Sequence, residues 1–223
     1  MKRVGRVRKA LVRDPSTCPH DEIYAGLCCE CCVPVSDAAR VRLSSNMSVA
    51  PYAAENYRSR STELLLASKK LALVVDLDET LVHTTTHAEK VKNKKCHSFK
   101  LSERSRTTYY LRERPGLCEF LHSAKEKYEL YLYTLGKRSY ARKALEIIDP
   151  GDVFFERRLF AFEDAPDTTG PQGTLPRLKT LFPQIGSEAL IVIIDDRPAV
   201  WTESPNLLPI LPCAHAPRVL LTL

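Results

Sequence analysis

The stretch LALVVDLDETLVHT, Leu71–Thr84, decides how this chain folds. Its first six residues, Leu71–Asp76, stay apolar and mostly branched until a carboxylate ends the run. Such a run reads as a strand buried on both faces, the kind found inside a parallel sheet. Further along, Tyr128–Tyr133 (YELYLY) ends in Thr134, and Ala189–Ile194 (ALIVII) is followed by Asp195 and Asp196. Both have the same character, and Leu207–Leu211 predicts a short fourth strand. Helical spacing lies between them. Cys118–Lys127 follows Arg-Pro-Gly with Leu117, Phe120, Leu121 and Ala124 on one face, Tyr140–Ile148 is closed by Asp149-Pro150-Gly151, and Leu175–Phe182 carries Pro176 in its first turn. Strands alternating with helices predict an α/β fold with a doubly wound parallel sheet. Residues 84–112 break the rhythm and predict a small inserted flap.

In an open sheet of this kind, ligands collect in the crevice beyond the carboxyl ends of the strands. Three strands end there in Asp76 and Asp78, in Thr134, and in Asp195 and Asp196. One acid at a strand end reads equally well as a helix cap. Two acidic pairs on separate strands do not. Four carboxylates in a partly dry crevice repel each other and are driven to take up protons, a conflict that a divalent cation removes. Oxygen-only ligands beside a phosphate favour Mg²⁺.

Around this core the chain of 223 residues divides into a basic tail (1–17), a Cys/His knot (18–35), a linker with a weak helical pattern around Glu55–Ser68 (36–69), and the α/β domain (70–223). No apolar run approaches the ~20 residues that span a membrane. Of the 33 Lys and Arg residues, six lie in residues 1–13, which contain no acid, leaving 27 basic against 27 acidic residues in the rest. The excess charge therefore belongs to the tail, and any nucleic-acid contact is expected through the tail alone. An import or nucleic-acid patch, a solvated terminus and an Arg-rich presequence all fit it. Five of eight cysteines fall between Cys18 and Cys32. Cys18, His20, Cys28 and Cys31 have the number and kind of ligands that tetrahedral Zn²⁺ takes, while Cys29 and Cys32 form an overlapping second C-x-x-C. Zinc and free reduced thiols both fit that pattern.

VVDLDETLVHT at Val74–Thr84 resembles the D-x-D-x-T signature of haloacid-dehalogenase-like phosphotransferases. With LRERPGLCEFL, YELYLYTLGKRSYA, LEIIDPGDVFFERRLF, LFPQ and VIIDDRPAVW in order along the chain, the likeness narrows to phosphatases of the RNA polymerase II C-terminal domain, in their TFIIF-associated branch. The resemblance implies a Mg²⁺-dependent serine/threonine protein phosphatase acting in the nucleus on the phosphorylated tail of the polymerase's large subunit. It implies Asp76 as nucleophile and Asp78 as general acid and base, touching the metal through its main-chain oxygen. Thr134 and Arg114 would hold phosphate, Asp196 would bind Mg²⁺ directly, and Asp195 would stand behind it. Thr80 is expected to shape the turn by bonding local backbone. Relatives carry a lysine where this chain has Thr174–Pro176. Arg177 or Lys179 is the expected replacement, with Lys137 a further candidate. The Arg-Asp-Glu of relatives is here Phe162-Glu163-Asp164. Two other readings stand beside this one: a small-metabolite phosphatase of the same superfamily, and a silent phosphopeptide-binding module.

Overall fold

The computed structural model describes residues 13–36, 39–44, 47–91, 95–156, 158–161, 182, 185–201 and 204–213. Arg177, Lys179, Phe162-Glu163-Asp164, the expected Leu175–Phe182 helix apart from Phe182, and most of the basic tail lie outside them. Two units are present, Met1–Tyr57 and Arg58–Leu223.

The smaller unit contains β1 (Glu22–Tyr24), β2 (Leu27–Cys28), β3 (Val41–Ser44) and β4 (Met47–Val49), ordered β2-β1-β4-β3 in an antiparallel sheet. One core cluster joins Ile23 to Cys18, Cys28 and Cys31, and another joins Leu43 and Val49 to Ala50, Ala53 and Ala54. Ala53 and Ala54 belong to α1 (Pro51–Ser68), whose residues from Arg58 onward lie in the larger unit. The stretch expected to be a linker with a weak helix thus holds two strands and an 18-residue helix. The strands are too short for alternation to register. The helix lacks a single apolar stripe, because Leu64 and Leu66 are exposed while Leu65 is buried.

The larger unit is built on β5 (Leu71–Asp76). After it come β6 (Val82–Thr85), β7 (His97–Phe99), β8 (Tyr109–Glu113), α2 (Leu117–Lys127), β9 (Tyr128–Tyr133), α3 (Arg138–Ile148), β10 (Leu159–Phe160), β11 (Ile191–Asp195) and β12 (Leu207–Pro209). Five strands form the parallel sheet in the order β10-β9-β5-β11-β12. Counted along the chain, this is third-second-first-fourth-fifth, the doubly wound order. Alternation explains the unbroken apolar run of β5. Leu73 and Val75 face a core with Phe120 and Leu121 of α2 and Ala141 and Ala144 of α3, while Ala72 and Val74 face Leu65, Phe182, Ile185 and Trp201. The expected flap is an antiparallel sheet, β6-β8-β7. The two-residue edge strand β10 left no pattern to read. Ala189 and Leu190, expected to begin β11, belong instead to a 3-10 turn over Glu188–Leu190 capped by Ser187, whose hydroxyl accepts from the Ala189 N–H.

Candidate active site

Chain order reverses between β5 and β11, which run parallel with Val75 opposite Ile194, so Asp76 and Asp195 end their strands side by side. On the other flank Asp76 pairs with Tyr133, which puts Thr134 one residue beyond the same edge. Asp76, Asp195 and Asp196 each present a carboxylate oxygen within 4.8 Å of the others. Asp76 is 1% exposed and Asp195 0%. Burial above all, then the Asp195 charge, pushes the Asp76 carboxyl up to about 8, against the pull of Arg197. Arg197 Nη2 stands 3.8 Å from Asp76 Oδ1.

The three acids differ in what they accept. Asp195 has both oxygens engaged, Oδ1 by the Arg197 backbone N–H and Oδ2 by the Trp201 indole N–H, each at 2.7 Å. Both oxygens of Asp76 and Oδ1 of Asp196 are buried without a hydrogen-bond partner among the described residues. Unmet buried carboxylate oxygens are costly, and these point at one another's vicinity. Two acids with free oxygens, backed by a third fixed by neighbours, fit a small hard cation such as Mg²⁺.

The Asp78 carboxyl does not join this trio. It accepts a hydrogen bond from the Tyr140 hydroxyl at 2.5 Å, and the Thr84 hydroxyl lies 2.8 Å from the same phenol oxygen. The Tyr140 ring is wedged against Phe99 and Tyr109 of the flap, with ring centres 6.1 and 5.6 Å away. Burial raises the Asp78 pKa, and the Tyr140 hydrogen bond opposes the rise. Asp78, Tyr140, Lys137, Gly136, Thr84 and Tyr109 line a groove of about 450 Å³.

Thr134, 1% exposed, accepts from the Gly136 N–H at 2.9 Å through Oγ1, which leaves its own proton free to donate. A side chain at Gly136 would meet Thr134 Oγ1 and Tyr140 Cδ1 at 3.1 Å, so glycine permits this approach. Arg114 is not directed to a phosphate through Nε or Nη2. It is 4% exposed, and these atoms donate to the carbonyls of Thr80 (2.6 Å), Glu79 (2.8 Å) and Leu211 (2.6 Å). It ties down the loop that carries Asp78, where Glu79 has left-handed backbone (φ 62°). The Thr80 hydroxyl, expected to bond local backbone, is buried with no partner among the described residues. Lys137 lines the groove.

In the smaller unit Cys18, His20, Cys28 and Cys31 bring one ligand atom each within 4.8 Å of the others, whereas Cys29 and Cys32 are exposed. Burial pushes the Cys18 thiol up to about 11. Burial raises Cys28 too, but the Cys31 backbone N–H, His20 and the Glu30 N–H outweigh it and bring that thiol down to about 6.

Sequence reasoning missed three residues. Tyr140 opens the predicted Tyr140–Ile148 helix, and Trp201 and Arg197 stand within the VIIDDRPAVW motif, with no role read for Tyr140, Trp201 or Arg197. Only the last carried a signal, its place directly after Asp195-Asp196.

The chain matches the NLI interacting factor-like phosphatase family over residues 71–217. It is 32% identical to the RNA polymerase II C-terminal domain phosphatase of Schizosaccharomyces pombe, over 87% of this chain and 30% of that protein. The human phosphatase of the same kind is 32% identical over 86% of this chain and 21% of its own length. The chain thus spans less than a third of these curated relatives. Among solved structures, fission yeast RNA polymerase II CTD phosphatase Fcp1 bound to beryllium fluoride is 33% identical with a TM-score of 0.60, covering 70% of this chain and 45% of that one. Paired acids at the switch point of a doubly wound sheet and a family match across that whole sheet agree: this chain belongs to the NLI interacting factor-like phosphatases.

Proposed function

We propose that this chain is a Mg²⁺-dependent phosphoserine/phosphothreonine phosphatase acting through an aspartyl-phosphate, with the phosphorylated C-terminal tail of RNA polymerase II as substrate. The observation that carries the reading is the contrast between Asp76, whose buried oxygens have no hydrogen-bond partner among the described residues, and Asp78, two residues on and held by Tyr140.

Asp76 is the nucleophile. Its carboxylate oxygen attacks phosphorus in line with the serine or threonine oxygen, and the P–O bond to the substrate breaks as the bond to Asp76 forms. Asp78, whose protonated form burial favours, gives its proton to the departing oxygen. Tyr140 donates to Oδ1, so Oδ2 is the atom that carries this proton. Asp78 then takes a proton from water, whose oxygen attacks phosphorus and releases Asp76 and inorganic phosphate. Thr134 donates its hydroxyl proton to a phosphoryl oxygen. Arg197, Lys137, Arg177 and Lys179 are the cations of this chain proposed to balance phosphate charge. Asp76 and Asp196 would hold Mg²⁺ with the main-chain oxygen of Asp78, and Asp195 would orient the site from behind. When bound, the cation lowers the Asp76 pKa and neutralises charge on the phosphoryl oxygens.

Flap residues Thr84, Leu101 and Tyr109 line the groove beside Asp78, which suits an extended peptide. The substrate, and with it a nuclear location, rests on the activity of the relatives. Contact of the basic tail with nucleic acid is part of the same proposal. The test is turnover of an aryl phosphate and of polymerase-tail phosphopeptides with Mg²⁺. Asp76→Asn should abolish both, and beryllium fluoride with Mg²⁺ should bind at Asp76. Sugar phosphates hydrolysed in preference to phosphopeptides would overturn the substrate class. Full activity of Asp76→Asn would overturn the mechanism.

A further inference from the structure

The Cys/His knot has no part in the proposed chemistry, yet its four side chains are arranged as a site. Zn–S bonds of ~2.3 Å and Zn–N bonds of ~2.0–2.1 Å give a tetrahedron with S···S edges of roughly 3.8 Å and S···N edges of roughly 3.5 Å. Here the sulfurs of Cys18 and Cys28 are 3.6 Å apart, and Cys31 Sγ is 3.4 Å from His20 Nδ1. A disulfide would need ~2.0 Å, and all the cysteines are free. All four ligand atoms fall within 4.8 Å of each other.

The backbone chooses between the overlapping pairs. Cys28 ends β2, with its N–H on the Val33 carbonyl and its own carbonyl accepting the Cys32 N–H, each at 2.9 Å. That turn, closed by Cys32 in the left-handed region (φ 62°), leaves Cys28 and Cys31 buried and Cys29 and Cys32 exposed. The Glu30 N–H points at Cys28 Sγ (3.4 Å), a donor that favours a thiolate ligand. The core here consists of Ile23 and three cysteines, with Val33 and Val35 against them. Even with the second cluster around Leu43 and Val49, a unit this small gains its stability most readily from a crosslink or a metal.

We propose that Cys18, His20, Cys28 and Cys31 bind one Zn²⁺ in a closed structural site, through three sulfurs and His20 Nδ1. Four protein ligands leave no open position, so the ion orders this unit and takes no part in catalysis. The inference stands independently of the phosphatase reading.

The test uses the full chain, purified without chelator or metal-affinity resin. Elemental analysis should find about one zinc per chain. Co²⁺ exchange should give the intense visible bands of a tetrahedral site and sulfur-to-metal charge transfer. Cys29→Ser/Cys32→Ser should keep the metal and the spectrum, and Cys31→Ser should lose them. Because Cys31→Ser also risks unfolding, alkylation of the unaltered chain supplies a second reading. Cys29, Cys32 and Cys118 should react at once, and Cys18, Cys28 and Cys31 only after a zinc chelator is added. Zinc-free native protein, chelator-independent alkylation, or metal lost with the Cys29/Cys32 pair would each overturn the proposal.

Discussion

At the residue scale, neighbouring carboxylates of the candidate site have different partners. Asp195 is satisfied by Trp201 and the Arg197 backbone and Asp78 by Tyr140, whereas among the described residues no hydrogen-bond partner meets the Asp76 oxygens, which have the Arg197 charge 3.8 Å away. Tyr140→Phe tests the second of these. It deletes one hydrogen bond to an ionisable group, so kcat should fall roughly tenfold, about 1.4 kcal/mol, with KM for an aryl phosphate nearly unchanged. Losing the donor also removes the effect opposing burial at Asp78, so the Asp78 limb of the kcat–pH profile should move to higher pH. An unchanged kcat and profile would show that Tyr140 only fills space. That Asp76, Asp195 and Asp196 meet at one rim was legible because each follows the buried apolar run of a strand in one parallel sheet. That Tyr140 serves Asp78 was not, because 62 residues separate them and a tyrosine on a helix face ordinarily reads as core.

At the element scale, short connections aim the side chains. The loop from Leu77 to Leu81 is held by Arg114, which enters from the end of β8 and donates to two of its carbonyls and to Leu211. Arg114→Lys replaces a rigid fork by a single ammonium. We expect a loss of about 3 kcal/mol, or a Tm lower by roughly 6–12 °C, with or without phosphate present. A normal Tm with a raised KM would instead return Arg114 to the phosphate. Gly136→Ala crowds Thr134 and Tyr140 from 3.1 Å. It should reduce kcat more than it lowers Tm, and a variant with wild-type turnover would show that the turn gives way freely. The strands β5, β9 and β11 were readable from apolar runs, the buried face of α2 from its spacing, and the end of α3 from the Asp149-Pro150-Gly151 turn. β3, β4 and β10 were not, since two to four residues carry too little pattern.

At the scale of the whole molecule, the charge gathered at the sheet's edge couples metal, protons and stability. The Asp76 carboxyl titrates near 3.8 when unfolded and at about 8 when folded without metal. A raised folded pKa contributes stability fully below the unfolded value, and that contribution is lost as pH rises through about 8. Mg²⁺ competes with this proton, so the Tm gained on adding it should grow steadily from pH 5 to pH 8. Thermal melts with Mg²⁺ and with a chelator at each pH would check this, and an equal gain at both ends would contradict it. Chain order alone revealed the parallel sheet, the acids at its rim and the clustering of the cysteines, because strand periodicity and residue type are local properties. Which oxygens are left unmatched, which C-x-x-C is buried, and that Arg114 faces backbone carbonyls were decided by packing. Such partners are supplied by segments remote in sequence, and no local pattern records them.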